Sequence, residues 1–357
     1  MKTNKITDFS GEKIYIGFDV HKKNWQVTIM TEFATHKSYN QPPCATTLAN
    51  YLQKNFAGGT YYSAYEAGFC GFWIHRELEK LGVNSIVVNP ADIPTTHKEQ
   101  VQKEDRRDSR KIAKCLRDGD LTPIYIPSIE SVEDRGLVRM RHLLVKDATR
   151  YKQRIKSFLY FHGIPLPKEF DTASSHWSKR FMNWLKSIQM HSASGKSTLD
   201  MLIQESESLR ANILESTKNI KALSKTQKYA TNAELIRSVP GIGLITGMTF
   251  LTEIDKIERF NTIDKLCSFI GLVPTMRSSG EKEVHGGLTN RSCKLLRKMI
   301  VESSWIAVRQ DPALMRAYHE YCKRMEANKA IIRIARKLIT RINFVLNKKQ
   351  LYKKLTY

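Results

Sequence analysis

Four carboxylates stand where the surrounding chain reads as regular structure. Asp19 ends the apolar, β-rich run IYIGFD, and Glu66 ends a second run, SAYE. Asp105 and Asp108 lie three residues apart in DRRDSRKIAKCLRDG, so on a helix they share one face. An acid at the end of a buried strand is costly unless it is paired or holds a metal. Two strand ends and a helix face can converge, and hard carboxylate oxygens suit Mg²⁺. Two such ions about 4 Å apart stabilise the attacking and leaving oxygens of a phosphodiester displacement. Each acid alone also has a plainer role. Asp19 can cap the following HKKN turn, Glu66 can pair with a cation, Asp105 can cap its helix and Asp108 can be a surface charge. His21 and Glu104 are close enough in sequence to join the set, or to make local polar contacts.

The elements that must position these acids follow from periodicity. IYIGFDV and WQVTIM, separated by HKKN, form a hairpin pattern. Tyr61 to Glu66 reads as a strand, Phe72 to Leu81 as an amphipathic helix stopped by Gly82, and Ser85 to Val88 as a strand ending at Asn89-Pro90. After a polar stretch, a helix opens at Asp105, where a carboxylate suits the helix N-terminus. This order predicts an α/β domain over residues 12–128. Beyond it, Leu137, Met140, Leu144, Ala148, Tyr151, Ile155 and Leu159 recur at helical steps, with Arg139, Arg141, Lys146, Arg150, Lys152, Arg154 and Lys156 opposite. HGIPLPKEF breaks that helix, and a second runs over about 197–223. The pair predicts an antiparallel, coiled-coil-like arm over 129–229, whose basic face binds a polyanion or is simply solvated. Residues 230–357 read as mainly helical. There SVPGIGLITG joins two helices, and a polar, Gly-rich loop runs from Pro274 to Gly287.

Among 357 residues, 58 Lys and Arg face 35 Asp and Glu, a net charge of +23. Such an excess attracts a polyanion, DNA or RNA, although a basic protein without such a partner is also possible on charge alone. The six cysteines show no C-x-x-C spacing, which argues against a zinc ribbon or a disulfide framework. The first residues, MKTNKITDFSGEK, lack an apolar signal region, and no apolar run approaches the roughly 20 residues of a membrane span. A soluble, cytoplasmic protein is expected.

IYIGFDVHKKNWQV, YEAGFCGFWIHRELEKLG and KEDRRDSRKIAKCL together resemble the RuvC-like, RNase H-fold domain of DEDD transposases. These are the insertion-sequence recombinases understood as bridge-RNA-guided serine recombinases, related to the pilin-gene invertases. The resemblance implies that Asp19, Glu66, Asp105 and Asp108 bind two Mg²⁺ ions, with Mn²⁺ able to substitute. The stretch from LIRSVPGIG to RSCKLLRKMI resembles the family's C-terminal transposase domain. It implies a serine nucleophile directly before the Gly that follows G-L-x-P. Here that is Ser279, before Gly280, with Ser278 beside it leaving the register open. From the residues alone, SSG is equally an ordinary loop. Arg277, Lys282 and Arg291 can steady a phosphate nearby. PGIG resembles the turn of helix-hairpin-helix modules, so Gly241 and Gly243 are candidate contacts to a nucleic-acid backbone, or merely a tight turn. The chain departs from the family at Ser292 and Cys293, where a Gly-Asn pair is usual.

The resemblance implies a transposase that cuts and rejoins DNA through a phosphoserine intermediate in a bacterial or archaeal cell, at the nucleoid when acting. It implies a structured guide RNA encoded by the element. It also implies dimers and tetramers in which the carboxylate domain of one protomer works with the serine domain of another. Two rival readings use the same residues. One is a RuvC-type junction-resolving nuclease with water as nucleophile. The other is a non-catalytic nucleic-acid-binding protein.

Overall fold

The computed structural model describes residues 8–94, 105–170, 172, 176–279, 282–289 and 291–353, with the backbone alone for 105–106, 276–279 and 282–285. The chain divides into two compact units, Met1–Ile126 and Pro127–Tyr357.

In the first unit, strands β1 (Lys13–Val20), β2 (Trp25–Met30) and β3 (Thr35–Gln41) precede helix α1 (Ala45–Asn55). Strand β4 (Thr60–Glu66), helix α2 (Trp73–Lys80), strand β5 (Asn84–Val88) and helix α3 (Asp105–Asp118) follow. The five strands lie in the order β3-β2-β1-β4-β5. Strand β2 runs antiparallel to both neighbours, while β1, β4 and β5 are parallel. Successive side chains on a strand face opposite sides. Ile14, Ile16 and Phe18 therefore enter one core with Val27 and Ile29, closed by Leu48, Leu52, Phe56, Ile74 and Leu78. The other face, with Gly17, Thr28 and Ala64, receives α3 through Ser109, Ile112 and Ala113. Burying Ala45, Leu48, Ala49 and Leu52 at helical spacing is what makes α1 a helix.

The second unit begins with α4 (Ile129–Phe161), α5 (Lys179–Ser187) and α6 (Ala193–Leu223). Ser128, Ser178 and Ser192 each accept a backbone N–H at the start of one of these helices. Arg141 reaches Thr217, Leu144 and Ala148 pack with Leu209, and Ile155 and Leu159 pack with Leu199 and Ile203. Later residues of α4 thus meet earlier residues of α6, so the two long helices run antiparallel. Helices α7 (Ala230–Arg237), α8 (Leu244–Ile254) and α9 (Ile263–Ile270) follow, then strands β6 (Pro274–Ser279) and β7 (Lys282–Leu288). Helices α10 (Lys294–Gln310), α11 (Pro312–Cys322) and α12 (Ala327–Lys348) complete the unit. Ile331, Ile334, Leu338, Ile342 and Val345 of α12 centre its core, packed with Phe250, Leu266, Leu296 and Ile300.

The stretch expected to be a loop from Pro274 to Gly287 is instead an antiparallel hairpin, pairing Arg277 with Val284 and Ser279 with Lys282. Its backbone pairing continues below, where Thr289 N–H donates to the Val273 carbonyl at 3.1 Å. No helix among the described residues is long and apolar enough to cross a membrane.

Candidate active site

Asp19 and Glu66 both sit at the carboxyl ends of parallel neighbours. The β1–β4 register pairs Gly17 with Ala64 and Phe18 with Tyr65, and each acid is the next residue along its own strand. Alternation then puts Asp19 on the face of Gly17 and Glu66 on the face of Ala64, the side covered by α3. Asp19 is about a quarter exposed, and Oδ2 lies 3.2 Å from His21 Nε2. His21 is thus a polar neighbour of the acid at the end of β1.

Gly17 lets α3 come this close. A Cβ there would overlap the Ser109 carbonyl and the Ala113 backbone. An isolated glycine within a strand marks such a backbone approach. Beside it, Thr28 Oγ1 and Ser109 Oγ share a buried hydrogen bond of 2.9 Å, and Thr28 also meets Ser38 Oγ at 2.8 Å. Asp108 precedes Ser109, so this seam fixes the turn of α3 from which Asp108 projects. Asp105 is the first residue of α3, but its side chain and the whole of Glu104 lie outside the described residues. Among the described residues, no three His, Cys, Asp or Glu side chains form a ready metal cluster. What the fold brings together is Asp19 and Glu66 on one sheet face, under the helix bearing Asp108.

In the second unit, Ser279 is the last residue of β6, at the hairpin end. The side chains of Ser278, Ser279, Arg277 and Lys282, and all of Gly280, lie outside the described residues. Arg291 lies past β7, and its backbone N–H donates to Thr289 Oγ1 at 3.3 Å. Gly241 has φ +83°, and a Cβ on it would overlap the Ser303 carbonyl and crowd Ala307. Its N–H donates to Gln310 Oε1 at 3.1 Å, so this amide is already engaged within the unit. Gly243 caps α8 and borders open space.

Sequence reading missed the polar frame behind the hairpin. Arg297 Nη1 donates to the Thr289 carbonyl at 2.8 Å and to the Gly271 carbonyl at 3.3 Å, tying the hairpin's two ends to α10. Arg336 of α12 donates to the Leu272 carbonyl at 3.2 Å and to Asp264 at 2.6 Å. Glu253, only 3% exposed, receives Arg139 through bonds of 2.7 and 2.8 Å. A lone acid in the apolar run LITGMTFLTEI was the available signal. Ser292 fits against Gly271, and Cys293 N–H donates to the Phe269 carbonyl at 3.2 Å. Burial, reinforced by the nearby Glu253 charge, pushes the Cys293 thiol up to about 11. At the departure from Gly-Asn, α10 thus starts without a side-chain cap, held by the Cys293 N–H and by Ser292 against Gly271.

Two family descriptions match the chain: "Transposase", for the DEDD transposases of IS110 elements, over residues 16–163, and "Transposase IS116/IS110/IS902 family" over residues 233–320. Both of these stretches are thus similar to transposases of the IS110/IS116 type. The first match holds all four acids, and the second holds Ser279 and both PGIG glycines. Among its relatives, a Sinorhizobium fredii protein named as a transposase, y4qE, is 29% identical over 68% of this chain and 58% of its own length. The transposase for insertion sequence element IS1533 of Leptospira borgpetersenii is 24% identical over 82% of this chain and 85% of its own. The transposase for IS1111A of Coxiella burnetii is 25% identical over 66% of this chain and 63% of its own. The match therefore spans less than two thirds of the length of the first and third of these relatives.

Proposed function

We propose that this chain is an IS110/IS116-type DNA transposase that cuts and rejoins strands at the ends of its element and at a target. The observation that carries the reading is the placement of Asp19 and Glu66 at adjacent carboxyl ends of β1 and β4, beneath the helix of Asp108. The strand order β3-β2-β1-β4-β5, with β2 alone reversed, supports a RuvC-like, RNase H-type first unit. The net charge of +23 supports a polyanionic substrate.

The donor set fits a hard divalent cation, because every candidate ligand is a carboxylate. Asp19, Glu66, Asp105 and Asp108 would hold Mg²⁺, and bound Mg²⁺ neutralises charge on a phosphate undergoing displacement. The chain's own nucleophile in this reading is Ser279. Its Oγ attacks a strand phosphorus and loses its proton, an Oγ–P bond forms and the bond to one strand oxygen breaks. The phosphoserine keeps the phosphodiester energy for rejoining. Arg277, Lys282 and Arg291 would steady phosphate charge, and Arg297 would hold the base of the hairpin. The start of α8 at Gly243 is the part of the PGIG turn open to a DNA phosphate.

Target choice by a structured RNA of the element, and assembly of dimers or tetramers through the coiled-coil-like arm of α4 and α6, complete the proposal on family resemblance. RNA that copurifies with the protein, and its mass in solution, test these parts.

The deciding experiment incubates the protein with element-end DNA and Mg²⁺ and looks for a covalent protein–DNA adduct. Wild type should form it, Ser278→Ala should keep it and Ser279→Ala should lose it. A Ser279→Ala protein that cuts as well as wild type, with no adduct in either, would instead establish the junction-resolving nuclease. Full cleavage by Asp19→Asn would overturn the metal site.

A further inference from the structure

The arm contains a cleft of about 710 Å³ to which the chemistry above gives no role. Lys152 of α4, Lys179 and Lys186 of α5 and Arg210 of α6 line it, together with Trp177 ahead of α5 and Glu207 of α6. The single acid is taken, because Glu207 pairs with Lys186 at 2.7 Å. Among the described residues, no carboxylate forms an ion pair with Lys152, Lys179 or Arg210.

Trp177 holds two of these cations in place. Lys152 Nζ lies 5.3 Å from the centre of its ring, and Arg210 Nη1 donates to its carbonyl at 3.2 Å. Trp177 does this from a left-handed backbone conformation, φ +62°. A bulky residue keeps such a conformation only where its surroundings enforce it, and ligand clamps are among the places where it recurs. The ring is in turn braced by Phe181, edge to face at 5.1 Å. Burial, and then the neighbouring Arg210 charge, hold the Lys152 ammonium below the usual lysine range. A partly buried cation and an exposed one are therefore kept close enough to repel at the cleft, an arrangement that an anion relieves.

We propose that this cleft binds a nucleic-acid strand by its backbone, seating one phosphodiester between Lys152 and Arg210 with Lys179 available to the next. The inference rests on the reading that the protein acts on nucleic acid, and adds a contact site that the carboxylates and the serine do not supply. Trp177 serves as the bracket for the two cations, so the site reads phosphate and not base identity.

The test uses full-length protein carrying Lys152→Gln, Arg210→Gln or both, with Lys218→Gln on the exposed arm surface as control. Affinity is measured over a salt series for labelled duplex DNA, single-stranded DNA and single-stranded RNA of matched sequence. For the strand type that the cleft holds, each substitution should weaken binding about threefold to tenfold and lower the salt slope by about one. The double variant should lower it by about two, and Lys152→Arg should retain the wild-type slope. Thermal midpoints check that the variants are folded. The three probes tell DNA from RNA as the source of the phosphate. A double variant that matches wild type on all three probes would overturn the cleft. Absence of salt-dependent binding by wild type to any probe would overturn the nucleic-acid reading itself.

Discussion

Thr28 and Ser109, distant in sequence, share a 2.9 Å hydrogen bond in the buried seam between β2 and α3. Gly17 lies across the strand pair from Thr28, against the same turn of the helix. Ser109→Ala leaves the Thr28 hydroxyl with its Ser38 partner and should cost about 1 kcal/mol. Gly17→Ala inserts a methyl into backbone and should cost about 1–3 kcal/mol. Urea unfolding of both variants checks the order. Equal, negligible losses would mean that α3 is not seated as described.

If Asp19 helps to hold Mg²⁺, the ion binds the folded chain and not the unfolded one. Mg²⁺ at a hundred times its dissociation constant should then add about 2.7 kcal/mol to stability. The gain should shrink in Asp19→Asn and Asp108→Asn, measured by thermal shift without DNA. An undiminished gain in both variants would place the ion elsewhere.

Much of this frame is legible from residue order, for physical reasons that differ between elements. Asp19 and Glu66 stand out because each ends an apolar run, and burial of such runs dictates strands. The helix from Asp105 shows its period through Ile112 and Ala113, both buried. Strand β3, THKSYNQ, is an edge strand exposed on much of its length, so no apolar alternation announces it. The β6–β7 hairpin escaped notice for a related reason. Its residues are polar and glycine-rich, and it is a strand pair through backbone bonding that composition does not encode. Nothing in the sequence sets Arg297 and Arg336 apart from the chain's other cations. Their partners are main-chain carbonyls at Gly271, Leu272 and Thr289, positions brought together by the fold alone.

Glu253 and Arg139 predict an asymmetric mutational response. Arg139→Met strands a carboxylate that is 3% exposed, with Arg135 Nε left 3.8 Å away as its remaining cation. Because Arg139 itself is half exposed, the cost should sit near the lower end of that for breaking a buried pair, about 2–3 kcal/mol. Glu253→Gln, which removes the buried charge, should cost less. Chemical denaturation of the two variants tests this, and the reverse order would refute the assignment.

Asp311 gives a pH signature. Burial raises its pKa, but hydrogen bonds from Tyr352 and the Leu314 N–H, with the Arg341 charge, outweigh burial and hold it below its ordinary 3.8. A carboxylate lowered on folding stabilises the native state fully above its unfolded value and loses that contribution as pH falls through its folded value. The thermal-midpoint gap between wild type and Asp311→Asn should therefore be constant well above 3.8 and narrow as pH falls below it. A gap that widened toward acid would contradict the sign.

Cys44 and Cys293 should separate in a thiol-labelling experiment. Hydrogen bonds from the Thr47 side chain and backbone lower the Cys44 pKa at the start of α1, whereas burial raises Cys293 to about 11. The thiolate is the reacting form, so at pH 8 Cys44 presents more of it. Accessibility acts in the same direction, because the Cys293 thiol faces the buried Glu253 side chain. Iodoacetamide followed by peptide mass analysis should find Cys44 modified first and Cys293 protected until the protein unfolds. Early labelling of Cys293 in the intact wild type would show that the start of α10 is not closed in solution.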